Sequence, residues 1–89
     1  MPSKNDFARS VQALIERISA CEQGFTDFIL ASDYPRLLAE LETVQEQLSK
    51  PELFALIWSM VEQSEGYLRA GRIEDAAHAL RQALTIVKG

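Results

Sequence analysis

Residues 49–71 read SKPELFALIWSMVEQSEGYLRAG, and this segment indicates a helix whose first half is very apolar. Ser49 and Glu52 have the spacing of a capping box. Pro51 between them suits the first turn of a helix, where its missing N–H has no helical partner. Gly71 supplies a residue that can adopt a positive φ where the helix ends. The segment therefore predicts a helix that begins next to Pro51 and ends near Gly71.

The beginning of this helix is apolar on nearly every side. From Leu53 to Val61 the one polar residue is Ser59. A helix that is apolar all round has to be buried on all sides. Enclosure by the other helices is therefore one expectation, and an exposed apolar patch that marks a partner site is the other. The candidate partner-binding residues are Phe54, Trp58 and Val61 as apolar anchors, with Tyr67 as a groove-edge residue.

The N-terminal region predicts an amphipathic helix. Ser3 and Asp6 have capping-box spacing, and apolar residues recur every three or four positions from Phe7 onward. Gly24 weakens the middle of the pattern, but we expect the helix to continue through it to Ala31.

Short connections predict how the helices are arranged. Ser32-Asp33 and Pro35 predict a turn before a second, leucine-rich helix, and Gly71 predicts a turn before a fourth helix at about residues 73–87. Because connections of a few residues join antiparallel neighbours, helix one is expected to pair with helix two and helix three with helix four. The predicted fold is therefore all-α, with four antiparallel helices forming two consecutive helical hairpins in a single domain of residues 1–89.

Length and charge restrict the function classes. The chain has 89 residues, 47% of them hydrophobic and 25% charged, which fits one folded globular domain. Its nine basic residues are scattered among 13 acidic ones, giving a net charge of −4 and no basic stripe for a nucleic-acid backbone. Nucleic acid is therefore not an expected partner. The longest apolar run is too short to cross a bilayer, so no membrane partner is expected either.

No catalytic or cofactor signature stands out. Cys21 and His78 are the only cysteine and histidine, and nothing in their spacing brings them together. There is no glycine-rich phosphate loop and no nucleophile-elbow motif. We therefore expect no enzyme activity, no cofactor and no metal. A single cysteine excludes an intrachain disulfide and, with a polar N-terminus that lacks a secretory signal, favours the cytoplasm.

Residues 67–84 read YLRAGRIEDAAHALRQAL and resemble the centre of a tetratricopeptide repeat. The resemblance implies that Tyr67 closes the first helix, that Gly71 makes the turn, and that the spaced alanines let the two helices pack closely. The resemblance extends over residues 57–88, with departures from the family pattern at Gln63, Leu80 and Lys88. Shifting the sequence by 39 residues superimposes the two predicted turns. This internal similarity fits either an array of repeats or a compact bundle in which two unrelated amphipathic hairpins align at their turns.

The resemblance implies a protein–protein interaction module: a small cytoplasmic adaptor or chaperone that binds a helical or extended segment of a partner. Residues 28–48 are also loosely similar to the first hairpin of small flagellar and type III export chaperones. The alternative is a structural or regulatory homodimer, with no peptide ligand, in which the third helix packs on its own copy. A DNA-binding regulator is the least favoured alternative.

Overall fold

The computed structural model describes residues 3–20 and 26–88, and these residues form four helices and no strand. The helices are α1 at Lys4–Ala20, α2 at residues 26–44, α3 at Pro51–Arg69 and α4 at Ile73–Lys88. Helix α2 consists of α-helical Thr26–Phe28, π-helical Ile29–Asp33 and α-helical Tyr34–Val44, and the short 3₁₀ helix Gln45–Gln47 follows it. The all-α class is thereby confirmed. Among these helices none combines the length and the apolar composition needed to cross a bilayer.

The predicted capping box at the start of α1 is confirmed. The backbone N–H of Asp6 donates to Oγ of Ser3 at 3.2 Å, and the backbone N–H of Ser3 donates to Oδ2 of Asp6 at 2.9 Å. The hydrogen bond from the Ser3 backbone is the main reason that the pKa of Asp6 lies below its ordinary value. The expected continuation of this helix through Gly24 falls outside the described residues.

This capping box gives a first testable prediction. Replacing Ser3 with alanine is expected to lower the free energy of unfolding by about 1 kcal/mol, because one N–H of the first turn loses its acceptor. The measurement is urea unfolding followed by circular dichroism. Ser19→Ala, at an exposed position near the end of the same helix, is the matched control. Equal stability of the two variants would contradict the role of Ser3.

The predicted turn at Ser32–Asp33 is wrong, because α2 passes through it as helix. The π-helical turn just before Pro35 is the physical reason. A proline lacks an N–H and its ring clashes with the carbonyl four residues earlier, here that of Ala31. The backbone N–H of Tyr34 instead donates to the carbonyl of Ile29, five residues back, which widens the turn. A Ser-Asp pair before a proline is typical of a helix start, and here a bulge inside a helix accommodates the same residues.

Helix α3 begins and ends close to the predicted residues, but its N-terminal cap differs. Pro51 is its first residue, as expected. The capping box of Ser49 is wrong, since the preceding residue is Lys50, in an extended conformation, and no side chain caps the helix. A residue before proline favours extended backbone, and this places the helix entry at Lys50. At the other end Gly71 has a φ of 79°, and the N–H of Arg72 donates to the Tyr67 carbonyl at 2.8 Å. These are the features of a Schellman cap.

Helix α4 packs extensively against both α3 and α1, whereas α1 makes fewer contacts with α2. The expected pairing of helix one with helix two is therefore not the main contact of α1. Small buried residues on α4 allow its neighbours to approach closely; they are Ala76, Ala77, Ala79 and Ala83. The largest fully buried side chains of the core are Tyr34, Phe7, Ile18, Leu41, Ile57, Leu68 and Leu80.

A buried hydrogen-bond chain joins three of the helices. Ser64 on α3 is fully buried, and its Oγ donates to the carbonyl of Ala76 on α4 at 2.8 Å. Oγ of Ser64 also lies 2.6 Å from the hydroxyl of Tyr34 on α2. Because the serine hydroxyl has one hydrogen and uses it on the carbonyl, Tyr34 is the donor in this second bond. The chain fixes the relative register of α2, α3 and α4.

A buried carboxylate braces α1 against α2. Asp33 is 6% exposed, and its Oδ1 accepts from Arg17 of α1 at 3.1 Å and from Arg36 of α2 at 3.2 Å. Its second oxygen is buried without a hydrogen-bond partner among the described residues. Burying this carboxylate costs desolvation free energy. The ion pairs of Asp33 therefore orient α2 against α1 more than they stabilise the fold.

Candidate functional site: an aromatic groove with an acidic rim

The apolar half of α3 is divided between core and surface. Ile57 and Val61 are fully buried, whereas Phe54 and Trp58 are half-buried and pack against the core with one side open. Leu56 is 42% exposed on another side of the helix. The other helices thus leave part of the apolar circumference of α3 uncovered. The prediction that Val61 is an anchor is wrong, because Val61 belongs to the core and has no exposed surface that a partner could contact.

Phe54 and Trp58 line a groove of about 410 Å³ between α2 and α3, which we call the aromatic groove. Their ring centroids lie 5.6 Å apart with planes tilted by 44°, a favourable arrangement for an aromatic pair. The two residues are four positions apart, so consecutive helical turns place them on the same face. The complete lining is Glu42, Phe54, Ala55, Trp58, Ser59 and Glu62.

The rim of the aromatic groove is negatively charged. Glu42 comes from α2 and Glu62 from α3, and both are exposed. Neither carboxylate forms an ion pair with another residue that the structure describes, although four other acidic residues each bind an arginine. An apolar floor with uncompensated carboxylates at its edge fits a ligand that is apolar in the middle and basic at its flanks.

Tyr67 is not brought together with the aromatic pair. It lies near the C-terminal end of α3, is half-buried, and does not line the aromatic groove. The guanidinium of Arg72 lies 5.0 Å from the centre of its ring, in cation–π geometry. Tyr67 therefore belongs to the turn between α3 and α4, where its ring contacts Arg72 and its carbonyl accepts the Schellman hydrogen bond.

Sequence reasoning missed the part of the groove that α2 contributes. Glu42 was not among the candidate residues, because nothing in the spacing along the chain relates it to Trp58. Glu62 could have been found, because it lies four residues after Trp58 and therefore on the same side of α3. The position of α2 over that side depends on its helical passage through Pro35, which the sequence pattern did not indicate.

The described residues contain no group of three histidine, cysteine or acidic side chains placed to hold a metal ion. His78 is exposed, and its Nε2 lies 3.2 Å from Nε2 of Gln82 one turn later. Cys21 falls outside the described residues.

No family model, curated protein sequence or solved structure matches the chain. The resemblances to a tetratricopeptide repeat and to small export chaperones stay predictions.

Proposed function

We propose that this chain is a protein–protein interaction module that binds an amphipathic helical segment of a partner in the aromatic groove. The observation that carries the proposal is the aromatic pair Phe54 and Trp58, left open to solvent between two carboxylates that pair with none of the residues the structure describes. Aromatic residues in such positions are common anchors of binding energy. The partner segment would place apolar side chains on the aromatic pair and Lys or Arg side chains opposite Glu42 and Glu62.

The dimensions of the groove favour a helix as its occupant. Its lining on α3 runs over residues 54–62, a rise of about 12 Å along the helix axis. That length corresponds to about two turns of a docked helix, which presents apolar residues at the i, i+3, i+4 and i+7 positions. Within this proposal the chain acts as a small adaptor or chaperone in the cytoplasm. The tetratricopeptide-like hairpin of α3 and α4, as an antiparallel pair, would form the scaffold of the groove.

Charge argues against a second copy of the chain as the occupant. A two-fold symmetric dimer brings the same surface of both protomers together. If the aromatic groove formed that interface, the carboxylates of Glu42 and Glu62 would approach those of the second copy and repel them. A homodimer is therefore the outcome of the test that would replace the proposal, and light scattering over a concentration series detects it.

The test uses Trp58 as its own reporter, because it is the only tryptophan in the chain. Two synthetic helices share one leucine face and differ in carrying lysines or glutamates on their flanks. The lysine-flanked helix is expected to shift the Trp58 emission to shorter wavelength, to saturate, and to bind about tenfold more tightly than the glutamate-flanked helix. Absence of a shift, or an equal Trp58 shift at the same concentration of the glutamate-flanked helix, would contradict the proposal.

A pair of charge reversals assigns the effect to the groove. Glu62→Lys is expected to weaken the lysine-flanked helix and to strengthen the glutamate-flanked one. Glu16→Lys changes the net charge equally at an exposed position of α1 away from the groove, and it should leave the preference unchanged. Equal effects of the two substitutions would mean that net charge, and not this site, determines binding.

A further inference from the structure

All three lysines of the chain meet at one cleft. Lys4, Lys50 and Lys88 are far apart in the sequence, but the fold gathers them where α1 and α3 begin and α4 ends. The cleft has a volume of about 570 Å³. We call it the lysine cleft, and its complete lining is Lys4, Leu48, Ser49, Lys50, Leu53, Ile86, Val87 and Lys88. It shares no lining residue with the aromatic groove.

The positive charge of the lysine cleft is not neutralised from within the described part of the chain. Five of the six arginines form ion pairs with acidic residues, at Arg9, Arg17, Arg36, Arg69 and Arg72. None of the three lysines forms an ion pair with another described residue, and no acidic residue lines the cleft. The chain has a net charge of −4, so this concentration of free positive charge is local. A concave surface focuses such a field on the ligand it admits.

The floor of the cleft is apolar and partly accessible. Leu48, Leu53 and Ile86 are half-buried, and Val87 is buried. These side chains pack on the core and still present aliphatic surface between the lysines. The ligand that matches both features carries several negative charges and aliphatic groups in one segment.

We propose that the lysine cleft binds an acidic amphipathic segment of a protein, with leucine-like side chains on the aliphatic floor and Asp or Glu carboxylates opposite the three lysines. The three charges come from three different helix ends, so a ligand with a single anionic group cannot form ion pairs with all three lysines. Lysines act as separate point charges and lack the bidentate geometry with which arginine selects phosphate. An acidic helix supplies both the spread of carboxylates and the apolar face.

This site goes beyond the proposed function, since it adds a second docking surface of opposite charge preference on the same domain. The aromatic groove takes a basic segment and the lysine cleft an acidic one.

The test measures fluorescence anisotropy of a labelled synthetic helix with a leucine face and a glutamate face. Replacing all three lysines with glutamine is expected to weaken its binding about tenfold, the loss of three exposed charge pairs. Raising the NaCl concentration from about 50 to about 200 mM should weaken it as well, because screening acts on exposed charges. The control removes three positive charges elsewhere, by Arg9→Gln, Arg69→Gln and Arg81→Gln, and should change the affinity less than twofold. Circular dichroism verifies that both triple variants remain folded.

Three further arms separate this site from its alternatives. A peptide with the same glutamates and serines in place of the leucines should bind at least tenfold more weakly, and equal binding would overturn the role of the aliphatic floor. Trp58→Ala should leave the acidic helix bound, so failure of the aromatic groove does not affect this result. Equal losses in the two triple variants would overturn the proposal. The proposal would also be overturned if the protein bound phosphatidylserine vesicles but not the acidic helix, and if the lysine substitutions abolished that vesicle binding.

Discussion

Replacing Phe7 with alanine is expected to lower the free energy of unfolding by about 3–5 kcal/mol. Phe7 is fully buried although it lies in the first turn of the first helix, and its backbone N–H is held by the carbonyl of Ser3 at 3.0 Å. The residue anchors the start of α1 in the common core. Alanine would remove the aromatic ring and leave a cavity that the surrounding helices fill only in part.

The matched control is Phe28→Ala, because the side chain of Phe28 is 61% exposed whereas that of Phe7 is fully buried. Its replacement should change the stability by less than about 0.5 kcal/mol. A chain of 89 residues has a total stability of about 4–13 kcal/mol, so Phe7→Ala removes a large share of it. Urea unfolding followed by circular dichroism gives both values. Similar losses for the two phenylalanines would show that the assigned core is wrong.

The second large effect is a loss of stability at high pH that depends on Tyr34. Burial raises the pKa of Tyr34 from its ordinary value of 10.0 to about 12. The folded chain therefore holds the phenolic proton more tightly than the unfolded chain does. This contribution to stability is fully present below pH 10 and is lost as the pH rises to 12. The loss amounts to about 3 kcal/mol.

Tyr34→Phe isolates this contribution, because lysines and other groups also titrate in the same range. The variant lacks the ionisable proton but keeps the ring that fills the core. The stability of the wild type relative to Tyr34→Phe should therefore decrease between pH 10 and pH 12. A difference that stays constant across this range would contradict the burial of the hydroxyl.

The parts of the fold that depend on local pattern were predicted from the sequence. Helix α3 begins at Pro51 and is followed by Gly71, because a proline in a first turn and a glycine with positive φ are local requirements. The Ser3–Asp6 capping box was predicted for the same reason. The π-helical turn before Pro35 was not, since the same residues are compatible with a turn between two helices. The energy of packing decides between these conformations, and the local sequence does not show it.

The candidate site was predicted in part. The apolar excess on α3 indicated Phe54 and Trp58, and both are open on one side. Val61 could not be separated from them, because its burial depends on which neighbour covers which side of the helix. Tertiary packing alone brings Glu42 to the aromatic groove, and it alone brings Lys4, Lys50 and Lys88 to one cleft. Positions far apart in the sequence become neighbours there, and periodicity along one helix contains no information about them.

Trp58→Ala tests the central claim, which is that the half-buried aromatic pair of α3 serves docking more than folding. The measurement is a calorimetric titration of this variant with the lysine-flanked helix, with circular dichroism on the same sample. Leu56→Ala, an exposed apolar position of the same helix outside the groove, is the control. We predict that Trp58→Ala keeps its helical spectrum and binds about 30-fold more weakly, the loss typical of a binding hot spot, while Leu56→Ala binds like the wild type. Loss of the helical spectrum, or a folded Trp58→Ala variant that binds as tightly as the wild type, would contradict the account.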